Sequence, residues 1–335
     1  MIDNDDPLWN PAAQADEDLA RIQNLLGRYG VRARDLSVPR MTAPSRLRRT
    51  LPWALAASIA LLLMGAGFQY RLSWTADGSW SAVLGKGSPS AANIMLAPGQ
   101  RLGTATNQTA MIEVARIGEI RLSPDSRLRL LETRSGHHRV KLEQGHMRAR
   151  IWAPPGYFAV STEHAEVVDL GCDFDIWTNV DGSGRVSVRS GWVSYRVGSE
   201  DILVPQGYTL GFAADRVQTP LADGATPEFA QAVETLESAV RADPYAPTIN
   251  ASAQAVAVAA RDEDAFTLLS LLTRWPRLAT TDLYSRLGKT LGIEDDDAQH
   301  RRAWVSGDAQ AIDAWWQKLP RHPKQWWVNW RDALG

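Results

Sequence analysis

The sequence has one cysteine, Cys172, among its 335 residues. No intrachain disulfide can form, and a structural metal site built on several thiolates is excluded. Any folded part lying outside the cytoplasm must therefore hold together by packing alone. An excess of one charge sign is also lacking. The 36 Lys+Arg nearly balance 38 Asp+Glu, and a net charge of −2 gives no general electrostatic reason to bind nucleic acid. Catalytic spacings are scarce: no HExxH pair and no serine on a glycine elbow occurs. His137, His138 and His146 make a poor metal set, because adjacent histidines on a strand face opposite sides. The pair follows Gly136 beside Arg139 and Lys141 and reads as solvated turn residues. His164 with Cys172 or Asp169 is the one catalytic set the composition suggests. The chain is expected to be no enzyme, with no metal and no cofactor.

What the sequence does have is a long uncharged run. Thr50 to Tyr70 reads TLPWALAASIALLLMGAGFQY, about the 20 residues a helix needs to cross a ~30 Å hydrocarbon core. Trp53 and Tyr70 lie near its ends, where amphipathic rings favour the headgroup layer, and Pro52 suits a helix start. Arg28, Arg32, Arg34, Arg40, Arg46, Arg48 and Arg49 crowd the N-terminal side, against Arg71 and Lys86 beyond it. The positive-inside bias predicts a single-pass inner-membrane protein of a bacterium, N-terminus cytoplasmic and C-terminus periplasmic. A cleaved signal peptide fits less well, since the roughly 50-residue flank is far longer than an n-region.

Four regions follow: a cytoplasmic tail over 1–49, a transmembrane helix over 50–70, a β-rich region over 74–215 and a helical, Trp-rich region over 227–335. In the tail, Asp16, Glu17 and Asp18 precede Leu19, Ile22, Leu25, Leu26 and Tyr29. The spacing makes one apolar helical stripe with acidic residues at the favourable end of the dipole. A single short helix cannot bury its own stripe. It either lies in a partner's groove, with Leu19, Ile22, Leu26 and Tyr29 as anchors, or rests on a membrane or a second helix.

Over 74–215, short alternating runs such as Ala110 to Val114, Gly118 to Leu122 and Gly184 to Val188 are separated by Gly, Pro, Asn and Asp. They predict an all-β unit. LEQGHMRARI (Leu142 to Ile151) echoes VRSGWVSYRV (Val188 to Val197), and LAPGQRL (Leu96 to Leu102) echoes LVPQGYTL (Leu203 to Leu210). Such echoes suit a rolled or solenoid-like arrangement in which glycines turn each coil.

The succession LAPGQ, EIRLSPDSRLRL, VKLEQGHMRARI, YFAVSTEHAEVVDLGCDFDIW, VSVRSGWVSYRV and LVPQGYTL resembles the FecR domain over about residues 90–212. That domain is the periplasmic module of transmembrane regulators of extracytoplasmic-function sigma factors. The resemblance implies an anti-sigma factor: the β domain senses a periplasmic signal, and the N-terminal tail holds or releases a sigma factor. The tail has only Trp9 where the iron-transport regulators have a Trp-rich bundle. The C-terminal region is more similar to a branch that pairs the β domain with a helical Trp-rich tail, so control by a TonB-dependent receptor is not implied. The alternative is an envelope adaptor or structural protein that binds periplasmic polypeptides or cell-wall material.

Many relatives carry Gly-Thr where this chain has Gly171-Cys172, and some cleave themselves there by attack of the side-chain oxygen on the preceding carbonyl. A thiol is competent for the same step. A free cysteine in an apolar strand also behaves as a small buried hydrophobe, and this position favours packing.

Residues 216–226 read as a linker. Beyond it, Phe229, Val233, Leu236 and Val240 keep helical spacing, as do Ala265, Leu268, Leu269, Leu272 and Trp275, then Leu283, Leu287 and Leu291, then Ile312, Trp315, Trp316 and Leu319. They predict antiparallel helix pairs similar to a short repeat array. Seven of the 14 Trp fall after residue 270. Trp304, Trp315, Trp316, Trp326, Trp327 and Trp330 either fill the core of a small bundle or face a peptide or glycan.

Overall fold

A computed structural model describes residues 20–22, 24–25, 57–67, 78–85, 91–293 and 298–319. By contact density the chain divides into two units, Met1–Leu63 and Met64–Gly335. In the first, residues 20–22 and 24–25 are helical and exposed.

The transmembrane helix expected over 50–70 is not borne out. The helix described there covers residues 57–67, about 16 Å at 1.5 Å per residue and roughly half of a hydrocarbon core. No helix among the described residues is long and apolar enough to cross a membrane. An uncharged composition sets the polarity of a segment and does not by itself establish a membrane-spanning helix.

From residue 80 the second unit is built first of strands. They are β1 (Trp80–Leu84), β2 (Ala92–Leu96), β3 (Arg101–Gly103), β4 (Ala110–Val114), β5 (Gly118–Leu122), β6 (Arg127–Arg134), β7 (His137–Ile151) and β8 (Phe158–Ser161). After them come β9 (Glu166–Asp169), β10 (Asp173–Thr178), β11 (Gly184–Ser190), β12 (Trp192–Val197), β13 (Glu200–Pro205), β14 (Tyr208–Ala213), β15 (Arg216–Val217) and β16 (Leu221–Ala222). The backbone ladder runs β13-β12-β9-β8-β7-β10-β11-β14-β15, with the remaining strands attached beside it.

β7 holds the two layers together. Its first half pairs with β6 and β8, and its second half with β5 and β10. Its inward residues are His138, Val140 and Leu142 before the middle and Met147, Ala149 and Ile151 after it. A regular strand keeps one parity per face; here the parity flips, because the strand turns a corner at Gly145 (φ +95°). A Cβ there would sit 2.2 Å from Ser126 Oγ, so only glycine fits. Gly191, between β11 and β12, is a second such corner, where an added Cβ would fall 2.4 Å from the carbonyl oxygen of Gly171.

The two glycine motifs that echo in the sequence therefore mark places where the chain passes from one layer to the other. Among the described residues every strand pair except β7–β8 is antiparallel, whereas stacked solenoid coils would pair in parallel, so these strands fold back on one another as a roll. One apolar core, from Trp80 and Ile112 through Leu142, Phe174 and Val204 to Val217, joins both layers.

Among the described residues six α-helices follow: α1 (Pro227–Ala242), α2 (Thr248–Ala259), α3 (Ala265–Arg274), α4 (Asp282–Thr290), α5 (Ala298–Val305) and α6 (Ala309–Trp316). Thr226 caps α1 by accepting from Phe229 N at 3.2 Å, with Pro227 in the first turn. Asp308 caps α6 by accepting from Ala311 N at 2.9 Å. The buried face of α1 is Phe229, Val233, Leu236 and Val240. α2 buries only Ile249, Ala253 and Val256, a stripe too small-sided to stand out in the sequence.

Residues 216–226 are no free linker. They form β15 and β16, and buried Thr219 is fastened to α1, where its backbone N–H donates to Glu237 Oε1 at 2.7 Å.

Candidate functional site

Of the four partner-facing residues expected in the tail, Ile22 is described. It is helical and 51% exposed, and neighbouring Leu25 is 62% exposed. Leu19, Leu26 and Tyr29 lie outside the described residues.

The Gly171–Cys172 bond sits at the corner between β9 and β10. Gly171 takes φ +87°, and Cys172 is buried. The last residue of β9, Asp169, folds its carboxylate back over the corner. It accepts from Gly171 N at 3.1 Å and Cys172 N at 2.9 Å, and the Cys172 thiol donates to it as well. Burial pushes the Asp169 carboxyl up to about 7, with those three donors offsetting only part of the desolvation. Burial, and then the neighbouring carboxylate, push the thiol well above its ordinary range. The thiol is thus held as a neutral donor inside the corner. Of the set suggested by composition, Cys172 and Asp169 meet; His164 lies instead against Gly182, whose Cβ would fall 3.1 Å from its Nε2.

One of the His137–His138 pair departs from the solvated turn expected of it. His138 is buried beneath Trp80, 6.4 Å between ring centroids, and burial pushes its imidazole down to about 4. His146 lies in a strand. Its Nδ1 is 2.7 Å from Ser123 Oγ and its Nε2 2.8 Å from Asp175 Oδ1, while its ring stacks on Trp177 at 4.4 Å. Arg185 also lies over the Trp177 ring, at 4.1 Å. Asp175 also accepts from Arg189, and Arg148 binds Asp173 through two N–H groups at 2.7 and 2.6 Å.

Burial raises the Asp175 carboxyl, but His146 and Arg189 outweigh it; the Arg148 bonds likewise hold Asp173 low. Register explains the array: Trp177 lies opposite both His146 and Arg185, and Asp175 opposite Arg148. The sequence separations, 23 for Ser123 and 29 for Asp175, hid it. The Ser–His–Asp order is that of a nucleophilic triad; here His146 also stacks on Trp177 and Asp175 is shared with Arg189, so the same contacts tie β7, β10 and β11 together. Among the described residues, no group of three or more His, Cys, Asp or Glu is placed to hold a metal ion.

In the helical region Trp304 and Trp315 are buried, 4.9 Å apart in a T-shaped contact, with Tyr284 4.4 Å from Trp315. Trp304 Nε1 donates to Leu272 O at 3.2 Å, and Trp316 Nε1 to Thr273 Oγ1 at 3.1 Å. These rings fill the bundle core. Trp326, Trp327 and Trp330 lie outside the described residues.

A two-layer β roll with glycine corners, followed by a helical bundle, defines the architecture. Residues 100–194 match the family described as FecR protein, a FecR domain where the order of motifs implied one, although the match covers less than a third of the chain. No curated protein matches the chain. Two crystal structures of a candidate anti-sigma factor from Parabacteroides distasonis ATCC 8503 are similar at 18% identity with a TM-score of 0.33, over 40% of this chain. The chain spans 63% of the length of that protein, less than two thirds. At that similarity nothing about activity or partners transfers.

Proposed function

We propose that this protein is a FecR-type signalling regulator, an anti-sigma factor that works by binding and sequestering and performs no chemistry of its own. The observation that carries the reading is the FecR match over residues 100–194. The exposed apolar side chains of Ile22 and Leu25 on a helical segment are consistent with a stripe that a partner covers. In this reading the FecR domain receives a periplasmic signal and the tail holds an extracytoplasmic-function sigma factor.

Affinity purification of the full-length chain, followed by mass spectrometry, tests it. A sigma factor is expected to be retained by the wild type and lost, at least about tenfold, with Ile22→Asp, since burying a charge in such a groove costs more than 1.4 kcal/mol. Retention unchanged by Ile22→Asp, or no sigma factor retained at all, overturns the proposal.

A further inference from the structure

A trough of about 340 Å³ opens on the outer face of the roll where β11, β14 and β15 lie side by side. That volume is at the small end of ligand pockets, which run roughly 300–1,000 Å³. Register decides which side chains meet there. Residues directly opposite on neighbouring antiparallel strands point to the same face, as do residues two apart on one strand. Arg185 of β11 lies opposite Gly211 of β14, and Arg216 of β15 opposite Ala213. The two arginines therefore flank a floor made of two small residues. Their backbones stand two strand spacings apart, about 10 Å, a gap that two long side chains close from opposite sides. Gln218, two residues beyond Arg216, leans over Gly211, where a Cβ would collide with its Oε1. Trp177, opposite Arg185 on β10, also lines the trough.

These two arginines differ from their neighbours in charge balance. Arg148, Arg150 and Arg189 of the same sheet are paired with Asp173 or Asp175. Arg185 and Arg216 are exposed, and neither makes an ion pair among the described residues. Among those residues no carboxylate lines the trough; Asp215, next to Arg216 in the chain, is exposed and outside it. The Arg185 guanidinium lies over the Trp177 ring at 4.1 Å. A guanidinium stacked by its face keeps its N–H edge available to an acceptor.

We infer that this trough binds a doubly charged phosphoryl group, either as free phosphate or as a small phosphate monoester. Each guanidinium presents paired N–H donors that match two phosphate oxygens at once. Together they carry two positive charges with no counter-charge beside them. A phosphate monoester, at about −1.5 to −2 near pH 7, balances that better than a singly charged carboxylate or phosphodiester. The side-chain amide of Gln218 supplies a further donor beside the floor. The inference concerns a different surface from the tail and stands or falls apart from sigma-factor binding.

Isothermal titration calorimetry on the full-length chain tests it, with methyl phosphate as probe and dimethyl phosphate as its singly charged counterpart. Methyl phosphate is expected to bind saturably, and dimethyl phosphate at least about tenfold more weakly. Arg216→Gln should weaken methyl phosphate at least about tenfold while leaving the fold intact, because the side chain is on the surface. Ala213→Glu, which sets a carboxylate on the floor between the arginines, should abolish binding. Arg121→Gln, at an exposed arginine of β5 outside the trough, should leave it unchanged. Inorganic phosphate and glucose 6-phosphate, titrated beside it, separate the free ion from an ester by which binds more tightly, and either order supports a phosphoryl site. No saturable heat with methyl phosphate, equal affinity for the two methyl esters, or a loss in Arg121→Gln as large as in Arg216→Gln would overturn the inference. So would binding that survives both Arg216→Gln and Ala213→Glu.

Discussion

Two buried titratable residues of the β roll work against each other. Asp169 is raised from 3.8 to about 7, so between those values the folded state holds a proton that the unfolded chain has released. Its contribution to stability therefore falls as pH rises from about 4 to 7. His138 is lowered from 6.5 to about 4, so across that window the unfolded chain holds the extra proton, and its contribution rises with pH. Each spans a few kcal/mol by order of magnitude, at about 1.4 kcal/mol per unit. In the wild type the two slopes largely cancel between pH 4 and 6.5. Asp169→Asn should uncover the histidine, giving a urea midpoint that climbs with pH over that range. His138→Phe should uncover the carboxyl and give a midpoint that declines. Parallel profiles for wild type and both variants would rule the opposition out. Neither residue's state was legible from the sequence, where His138 read as a solvated turn residue. Strand alternation counted from Gly136 puts His138 inward, and the Asp169 carboxylate turns back on its own corner; both follow only once the layers are placed.

At the scale of elements, legibility followed side-chain size. The stripes of α1, α3, α4 and α6 are made of Leu, Val, Phe and Trp and could be read directly, whereas α2 hides behind Ala253 and short neighbours, and α5 buries only Trp304. The strands Ala110–Val114 and Gly118–Leu122 stand where alternation put them. What alternation does not tell is where a strand changes layer. Gly145 does that for β7, and the repeat of its motif around Gly191 was visible, while its meaning as a corner was not. Replacing Gly145 by Ala demands a positive φ of a residue that resists it and drives a methyl into the Ser126 backbone and side chain. A loss of roughly 2–4 kcal/mol is expected, seen as a lower urea midpoint. Ala at Gly99, where φ is +86° but nothing lies within 4 Å, should cost only the strain, about 1 kcal/mol. Equal losses at both positions would mean that the close approach at Gly145 is relaxed at no cost.

For the roll and the bundle together, the deciding feature is a buried ionic seam. Glu237 of α1 is 1% exposed and faces Arg241 at 3.0 Å and Arg274 at 3.2 Å. Arg274 continues to Glu200 of β13 at 3.0 Å, and both arginines donate to Val217 O. Phe266 adds an apolar contact, with Trp192 and Tyr208 of the roll 5.9 and 4.9 Å from its ring. Removing the carboxylate would take one of two partners from Arg241 and one of four from the nearly buried Arg274, a loss on the order of 3–5 kcal/mol. Because the seam joins the two cores, Glu237→Ala should do more than lower the melting temperature. Calorimetry is expected to show one transition in the wild type and two in the variant, with the helical bundle melting first because it loses the support of β15 and β16. Glu237→Gln keeps the shape and the acceptor for Thr219 but not the charge, and should fall between them. A single, merely shifted transition in Glu237→Ala would show that the apolar contact around Phe266 alone couples the cores and that the ions serve only to satisfy one another.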